Sequence, residues 1–279
     1  MHTPDGFVTG WICIVMLLLS FIVIALAVRN LRKTKAASIA AVAAIIFLAQ
    51  MVNFPILGGT SGHLIGAAFA LFVLGIEGAV IAMAAVLLVQ TLAFGDGGLL
   101  SLGVNIFNMG IVAVYAANFV SQRIENSYVR TFAASWAAVV AASVACGIQL
   151  AASGVPLLAG VPAMAFTHSI IGFGEGFLTI LMVSVMLGRL QNPSLRLALS
   201  TSGMAFLAVA LLLPFASGAP DGLESVAIRL GFFENAMEYA APFSYSLGVL
   251  AALVGAALAF ILSYAVMQFS CRAASSPNA

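Results

Sequence analysis

The chain has 279 residues, of which 63% are hydrophobic and only 7% charged, with a formal net charge of +1. Ordinary soluble domains carry roughly 25% charged residues, so this composition, with a mean hydropathy of +1.17, places the chain in a bilayer and leaves no basic patch for nucleic acid. Apolar stretches of helix-spanning length, rather than ten-residue alternations, predict an all-α polytopic membrane protein and exclude a β-barrel.

The first seven residues are Met1-His2-Thr3-Pro4-Asp5-Gly6-Phe7. A free α-amine, the amide nitrogen of His2 and its imidazole can close a five-membered and a six-membered ring around one metal. That presents three nitrogens in a plane, which suits Ni(II), Cu(II) or Co(II). Pro4 removes the next backbone donor, and Asp5-Gly6 suits a turn. The plain alternative is an incidental histidine behind a start residue. No basic region precedes the first apolar run and no small-residue cleavage site follows it, so the first helix is expected to stay. The bulky His2 disfavours removal of Met1.

About nine membrane segments are expected, near 7–28, 37–53, 63–75, 77–94, 103–121, 131–153, 163–188, 195–216 and 244–269, each judged against a length of about 20 residues. The third is short and follows Gly58-Gly59-Thr60-Ser61-Gly62. Such a stretch is tolerated at membrane depth only where protein buries it or it lines a cavity. The third and fourth segments are expected to join in a tight cytoplasmic turn at Gly75-Ile76-Glu77-Gly78.

Basic residues set the orientation. With the N-terminus outside, Arg29, Arg32, Lys33 and Lys35 fall inside after the first segment, and Arg123 and Arg130 after the fifth. Arg189 and Arg196 follow the seventh and Arg272 the ninth, so that only Arg229 is external. This obeys the positive-inside rule and puts the C-terminus in the cytoplasm. It also puts loops 54–62, 95–101 and 154–162 outside with Met1, together with the polar stretch 217–241, which holds Asp221, Glu224, Glu234 and Glu238.

No GxxxxGK[ST] is present, so no nucleotide site is expected, and no HExxH, triad or acid pair supports hydrolysis. The chain is read as a non-enzyme without catalytic residues or a resident cofactor. Cys13, Cys146 and Cys271 lack metal or disulfide spacing and read as buried thiols.

All three histidines, His2, His63 and His168, fall at the outer side, and neutral imidazole is a strong ligand for nickel and cobalt. A hydrogen bond between helices is the structural alternative for His63 and His168. Glu175, on the same helical face as His168, is an intramembrane carboxylate and hence a functional candidate, or a lock between helices. Gln90, Asn105 and Asn108 read as buried amides that tie helices or support ligands rather than touch metal. Ser61 and Asp96, in the glycine-rich outer loops, are candidates for supporting or gating the site.

The start Met1–Phe7 resembles the MHIPDGF start of the CbiM/NikM family, the substrate-binding membrane components of cobalt and nickel energy-coupling-factor transporters. The resemblance continues through Asn53-Phe54-Pro55, Gly58–Leu64, Phe94-Gly95-Asp96-Gly97-Gly98, Asn105–Gly110 and His168 with Gly172, Gly174, Glu175 and Gly176. It covers residues 1–190 and departs at Thr3, where an aliphatic residue is commoner. It implies that Met1 and His2 are metal ligands completed by His63. The substrate is then Ni(II) or Co(II), and the partners are a transmembrane coupling subunit and an ATP-binding subunit. Residues 191–279, with Ala219-Pro220-Asp221-Gly222-Leu223-Glu224, resemble the PDGLE segment of the small CbiN/NikN subunit, two helices flanking an external loop. The residues do not choose nickel over cobalt, although the fusion leans toward nickel by family analogy. A proton-coupled cation carrier using Glu175 and His168, and a metal-sensing receptor, are the alternatives of other classes.

Overall fold

The computed structural model describes residues 1–31, 36–56, 58–237 and 239–274. Arg32, Lys33, Lys35 and Glu238 lie outside the described residues, as do the side chains of Cys271 and Arg272. The long helices are α1 (Gly10–Asn30), α2 (Ala36–Gln50), α3 (Ala67–Phe94), α4 (Leu102–Ser121), α5 (Ser127–Ala152), α6 (Leu157–Leu190) and α7 (Leu195–Phe215). A short α8 (Gly222–Leu230) and a final α9 (Val249–Ala274) complete the chain.

Two equally apolar helices take opposite positions. In α1 the large side chains Trp11, Ile14, Leu18 and Phe21 are all more than half exposed, an apolar band suited to lipid or to another membrane helix. In α2 every residue from Ile39 to Leu48 is buried. Its alanines leave room for close neighbours, and α3, α7 and α9 pack around it. The approach of α9 needs a glycine, since a Cβ at Gly255 would stand 1.9 Å from Cζ of Phe47. Residues beyond 190 are thus built onto the same core as those before it. Helix α6 ends at Leu190.

The helix α3 reverses on itself. A straight run of its 28 residues would place its ends about 42 Å apart. Gln50 nevertheless hydrogen-bonds both Ile65, just before the helix, and Gln90 near its end. The reversal falls at Gly75, whose φ of 76° and ψ of −178° lie in a region essentially reserved for glycine. The expected joint between segments 63–75 and 77–94 is therefore present.

Seven helices among the described residues are long and apolar enough to cross a membrane, with α3 counted once. The nine expected segments do not appear as nine long helices. Helix α2 has only 15 residues, and the third expected segment begins as a loop, because residues 63–66 are not helical. The carboxylate that caps this loop, described below, could not be read from the local apolar pattern.

Three local devices shape the end of the bundle that carries the histidines. A small hairpin pairs Phe54–Ile56 with Thr60–Gly62, antiparallel. Wide π turns interrupt α3 at Gln90–Phe94 and α4 at Ile106–Val112; such bulges shift side chains out of helical register, often at functional sites. Helix α8 starts with a full capping box, in which the Asp221 side chain accepts from its first turn and Glu224 reaches back to the Asp221 amide.

Candidate metal site

The N-terminal strand, residues 1–7, is threaded into the bundle rather than lying on it. Met1, Thr3 and Phe7 are buried. Asn105 holds Thr3 on both sides of its backbone, accepting from the amide at 2.8 Å and donating to the carbonyl at 3.1 Å. The Gly98 amide donates to the same carbonyl at 3.0 Å. Asp5 accepts from the amides of Leu100 and Ser101, and its carbonyl accepts from Met237. Gly98 has to be glycine, since a Cβ there would stand 2.0 Å from Oδ1 of Asp5. This strand has one possible register, and that fixes where its first two residues end.

At that point three nitrogen-bearing groups converge. The Met1 ammonium donates to Nε2 of His63 at 3.1 Å and is ion-paired with Asp221 at 2.6 Å. The rings of His2 and His63 stack, with centroids 5.2 Å apart and planes 23° from parallel. Nδ1 of His63 donates to the Leu64 carbonyl at 3.1 Å, which leaves Nε2 with its lone pair toward the Met1 nitrogen. Two nitrogens bound side by side to one metal, each about 2.0–2.1 Å from it, lie about 2.9 Å apart. The amine and His63 Nε2 are therefore spaced as adjacent ligands would be. Among the described residues no group of three or more His, Cys, Asp or Glu side chains could hold a metal.

Burial and neighbouring charges act on both imidazoles. Burial holds His63 well below the ordinary imidazole range, and the Met1 ammonium and His2 push it the same way. Burial also lowers His2, against the opposing pull of Asp96, whose Oδ1 lies 3.2 Å from Nδ1. For Asp221, burial pushes the carboxyl up, but the Met1 ammonium and then His63 outweigh it, and the net position is well below the usual carboxylate range. Both rings are neutral at pH 7, and the local charge pair is Met1 with Asp221.

The other expected residues divide clearly. Gln90 meets Nε2 of His2 at 3.1 Å. Asp96 accepts from the Tyr245 hydroxyl at 3.1 Å, and burial followed by the Asp96 charge raises that hydroxyl well above its ordinary range. Glu175 is wholly buried, and its two oxygens accept from the amides of Ile65 and Gly66 at 2.8 and 2.9 Å. It grips the loop that carries His63 and does not turn toward His168. His168 donates from Nδ1 to the Met164 carbonyl. Its Nε2 has no hydrogen-bond partner among the described residues and borders a cavity of about 10 Å³ shared with Met1, His63, Asp221 and Gly222. Ser61 donates to the Ala219 carbonyl at 2.7 Å and so ties the glycine-rich loop to the stretch before α8. Asn108 exchanges hydrogen bonds with Gln149 on α5 and stands apart from the site.

Sequence reading passed over two groups. Asp221 drew attention as an external acidic residue of the PDGLE stretch and not as a site residue, yet it is the ion-pair partner of the N-terminal amine. Its capping position offered no hint of that, because the contact spans 220 residues. Gln50 offered no signal at all, being an amide at the end of an alanine-rich helix. Gly222 is explained by the same packing, since a Cβ there would lie 2.9 Å from Nε2 of His168.

Comparison with known proteins adds the following. Residues 2–193 match the family described as CbiM, cobalt uptake substrate-specific transmembrane region. A candidate fused nickel transport protein, NikMN, of Archaeoglobus fulgidus is 34% identical over 97% of this chain and 99% of its own length. The fused nickel transport protein NikMN of Rhodobacter capsulatus is 34% identical over 70% of this chain and 63% of its own. A truncated transition metal transporter of known crystal structure superposes with a TM-score of 0.60 at 31% identity, over 67% of this chain and 99% of its own.

Proposed function

We propose, from the premise that this chain belongs to the family of cobalt uptake substrate-specific transmembrane regions, that it is the metal-capturing component of an ATP-driven nickel or cobalt uptake system. Membership makes it a multi-pass membrane protein of metal transport. The finer reading assigns four nitrogens to the substrate ion: the Met1 amine, the His2 amide, His2 Nδ1 and His63 Nε2, near a plane. The observation that carries it is the 3.1 Å spacing of Met1 nitrogen and His63 Nε2, with His2 stacked alongside. Capture exchanges protons for metal. The ammonium gives up its proton and its ion pair with Asp221, and the His2 amide gives up its own.

Nickel is the first substrate to test, because a relative that matches almost the whole chain bears a nickel name; four nitrogens also serve cobalt. In this reading residues 1–190 form the capturing part and 191–279 an accessory part fused behind it. A transmembrane coupling subunit and an ATP-binding subunit supply the energy. The N-terminus faces outside and the C-terminus the cytoplasm. A cysteine at Asp221 should then react with an impermeant label on intact cells, and one at Arg123 should not; the reverse pattern would overturn the orientation.

The decisive experiment is titration calorimetry with nickel and with cobalt on protein whose N-terminus is free. Inserting one alanine between Met1 and His2 keeps every side chain, changes the chelate ring set and moves the imidazole by about 3.5 Å along the strand. That variant, and an uncleaved N-terminal tag, should lose binding while still inserting in the membrane. Unchanged affinity in the alanine variant would rule out the amine-plus-amide chelate.

A further inference from the structure

A second cavity lies between α6 and α7, and its lining is wholly apolar. On α6 it touches Gly174, Leu178, Met182 and Met186, and on α7 Ala205, Ala208, Val209 and Leu212. Each set recurs at three- and four-residue steps and so lies on one side of its helix. The glycine and alanines at these positions leave the space between the two helices unfilled. What remains is a groove of about 490 Å³, floored by Ile45 and Ala49 of α2. Two further lining residues, Leu181 and Leu212, are more than half exposed, so the groove opens sideways toward the bilayer.

Size selects the occupant. From Gly174 to Met186 the groove runs about 18 Å along α6, close to the roughly 15 Å that one leaflet contributes to the hydrocarbon core. Spread over that length, its volume gives a width of about 6 Å. A transmembrane helix is about 10–12 Å across with its side chains and does not fit. A single hydrocarbon chain fits, because non-bonded carbons approach to about 3.5–4.0 Å. The two methionines can adjust to its shape.

Charge points to a phospholipid. The groove ends at Phe54, at the base of the hairpin whose turn residue Gly58 accepts from Arg229 at 3.5 Å. Arg229 is exposed, and among the described residues it is the only Lys or Arg at the end of the bundle that carries the histidines. Phe54 and Gly58 are at most about 13 Å apart along a strand, a span that a lipid head and a long guanidinium side chain cover between them.

The end wall of the groove belongs to the histidine site. Leu64 lines the groove, and its carbonyl meets Nδ1 of His63 at 3.1 Å. Gly174 abuts Phe54, since a Cβ there would stand 2.9 Å from the Phe54 ring, and it precedes Glu175, which grips Ile65 and Gly66. A chain in the groove therefore rests on both supports of the His63 loop.

We propose that this groove holds one hydrocarbon chain of an anionic phospholipid, with its phosphate at Arg229, and that the chain braces the loop bearing His63. The lipid site stands apart from the proposed metal function; only the consequence of the brace rests on it.

The test places full-length protein in vesicles with a trace of phosphatidylglycerol carrying a mid-chain diazirine, and maps the adducts by mass spectrometry after irradiation. Adducts at Leu178, Met182 and Ala208 should exceed those at Trp11, Leu18 and Phe21 at least about fivefold, the exposed face of α1 reporting lipid in passing contact. Ala208→Trp, at an exposed position, should fill the groove and abolish its adducts while α1 keeps its own. Arg229→Gln should lower groove labelling about fivefold, the effect of one basic group on an anionic lipid. Even labelling of the two faces would overturn the site, as would groove adducts that survive Ala208→Trp. Groove labelling that vanishes as protein is concentrated at fixed lipid would make a second copy the occupant. Unchanged labelling in Arg229→Gln would overturn the placement of the phosphate.

Nickel titration reads the brace. Stripping lipid from wild type should lower affinity about tenfold, the lower end of what supporting groups contribute, and phosphatidylglycerol should restore it. Ala208→Trp, whose indole stands in for the chain, should bind equally with and without lipid. A lipid-independent affinity in wild type would overturn the brace. If wild type with lipid binds neither nickel nor cobalt, the metal reading fails while the labelling still decides the groove.

Discussion

The N-terminal strand lies between two walls of different chemistry. One wall comes from residues 53–105 and offers mostly neutral groups, Asn105 on Thr3, Gln90 on His2 and the imidazole of His63 on Met1, beside the Asp96 carboxylate 3.2 Å from Nδ1 of His2. The other comes from residues beyond 216 and offers charge and a phenol: Asp221 on the Met1 ammonium and Tyr245 on Asp96. The neutral wall holds the strand in place through Thr3, His2 and Met1. The charged wall balances the proton that the amine carries before metal arrives. The counter-charge of the Met1 ammonium thus comes from beyond residues 2–193 that match the family, while Asn105, Gln90 and His63 lie within them.

The largest break in this comparison should come from the ligands on or against the neutral wall. His2→Ala and His63→Ala should each lower nickel affinity by more than about a hundredfold, beyond the range of supporting groups. A loss of tenfold or less for either in calorimetry would remove that residue from the ligand set.

The pH dependence separates the walls next. Burial lowers both imidazoles from an ordinary value of about 6.5, so above that pH neither has a proton to release. The protons displaced by metal are then those of the Met1 amine and the His2 amide. Between pH 6.5 and 8 the affinity should rise with pH by between about one and two log units per unit, the His2 amide proton being displaced throughout. A slope near four would mean that the imidazoles are protonated in the free protein.

Glu175→Gln tests the support beneath His63. An amide has one acceptor oxygen, so one of the two backbone donors at Ile65 and Gly66 would face an NH₂ group instead. An unsatisfied buried donor costs about 1–3 kcal/mol. Affinity should fall about tenfold, with a lower melting temperature. A loss as deep as that of His63→Ala would make the carboxylate part of the metal site itself.

The smallest effect should come from the charged wall. Asp221→Asn keeps a good helix cap but withdraws the counter-charge of the ammonium, which makes that proton easier to lose. Nickel affinity at neutral pH should stay within about threefold of wild type or rise. A tenfold fall would identify Asp221 as a ligand.

Much of this was legible in the sequence, for definite reasons. The nearness of the Met1 amine and the His2 ring is written in two adjacent residues, and apolar length placed the helices within a few residues. The glycine at the α3 reversal was visible as Gly75-Ile76-Glu77-Gly78 because no other residue takes that backbone conformation. Gln90 and Asn105 stood out as amides among apolar neighbours. Asp221 and Gln50 did not. Their roles depend on contacts across 220 and 40 residues, and neither helix capping nor apolar periodicity carries that information. Asn108 shows the converse case, since a buried amide in a marked motif turned out to serve helix pairing with Gln149. Nor could composition separate α1 from α2. The same apolar alphabet faces lipid in one and neighbouring helices in the other, and the difference lies in side-chain size.

The reversal at Gly75 has a mechanical meaning. Because α3 doubles back, the His63 loop and Gln90 are the two tips of a pair of tongs whose pivot is exposed and has no atom within 4 Å of where a Cβ would stand. The arm from the pivot to Gln90 is about 22 Å long. A change of about five degrees at the pivot therefore moves its tip by about 2 Å, enough to part Gln90 from Gln50 and free the ring of His2. Spin labels on the two arms would register such an opening as a change in their separation.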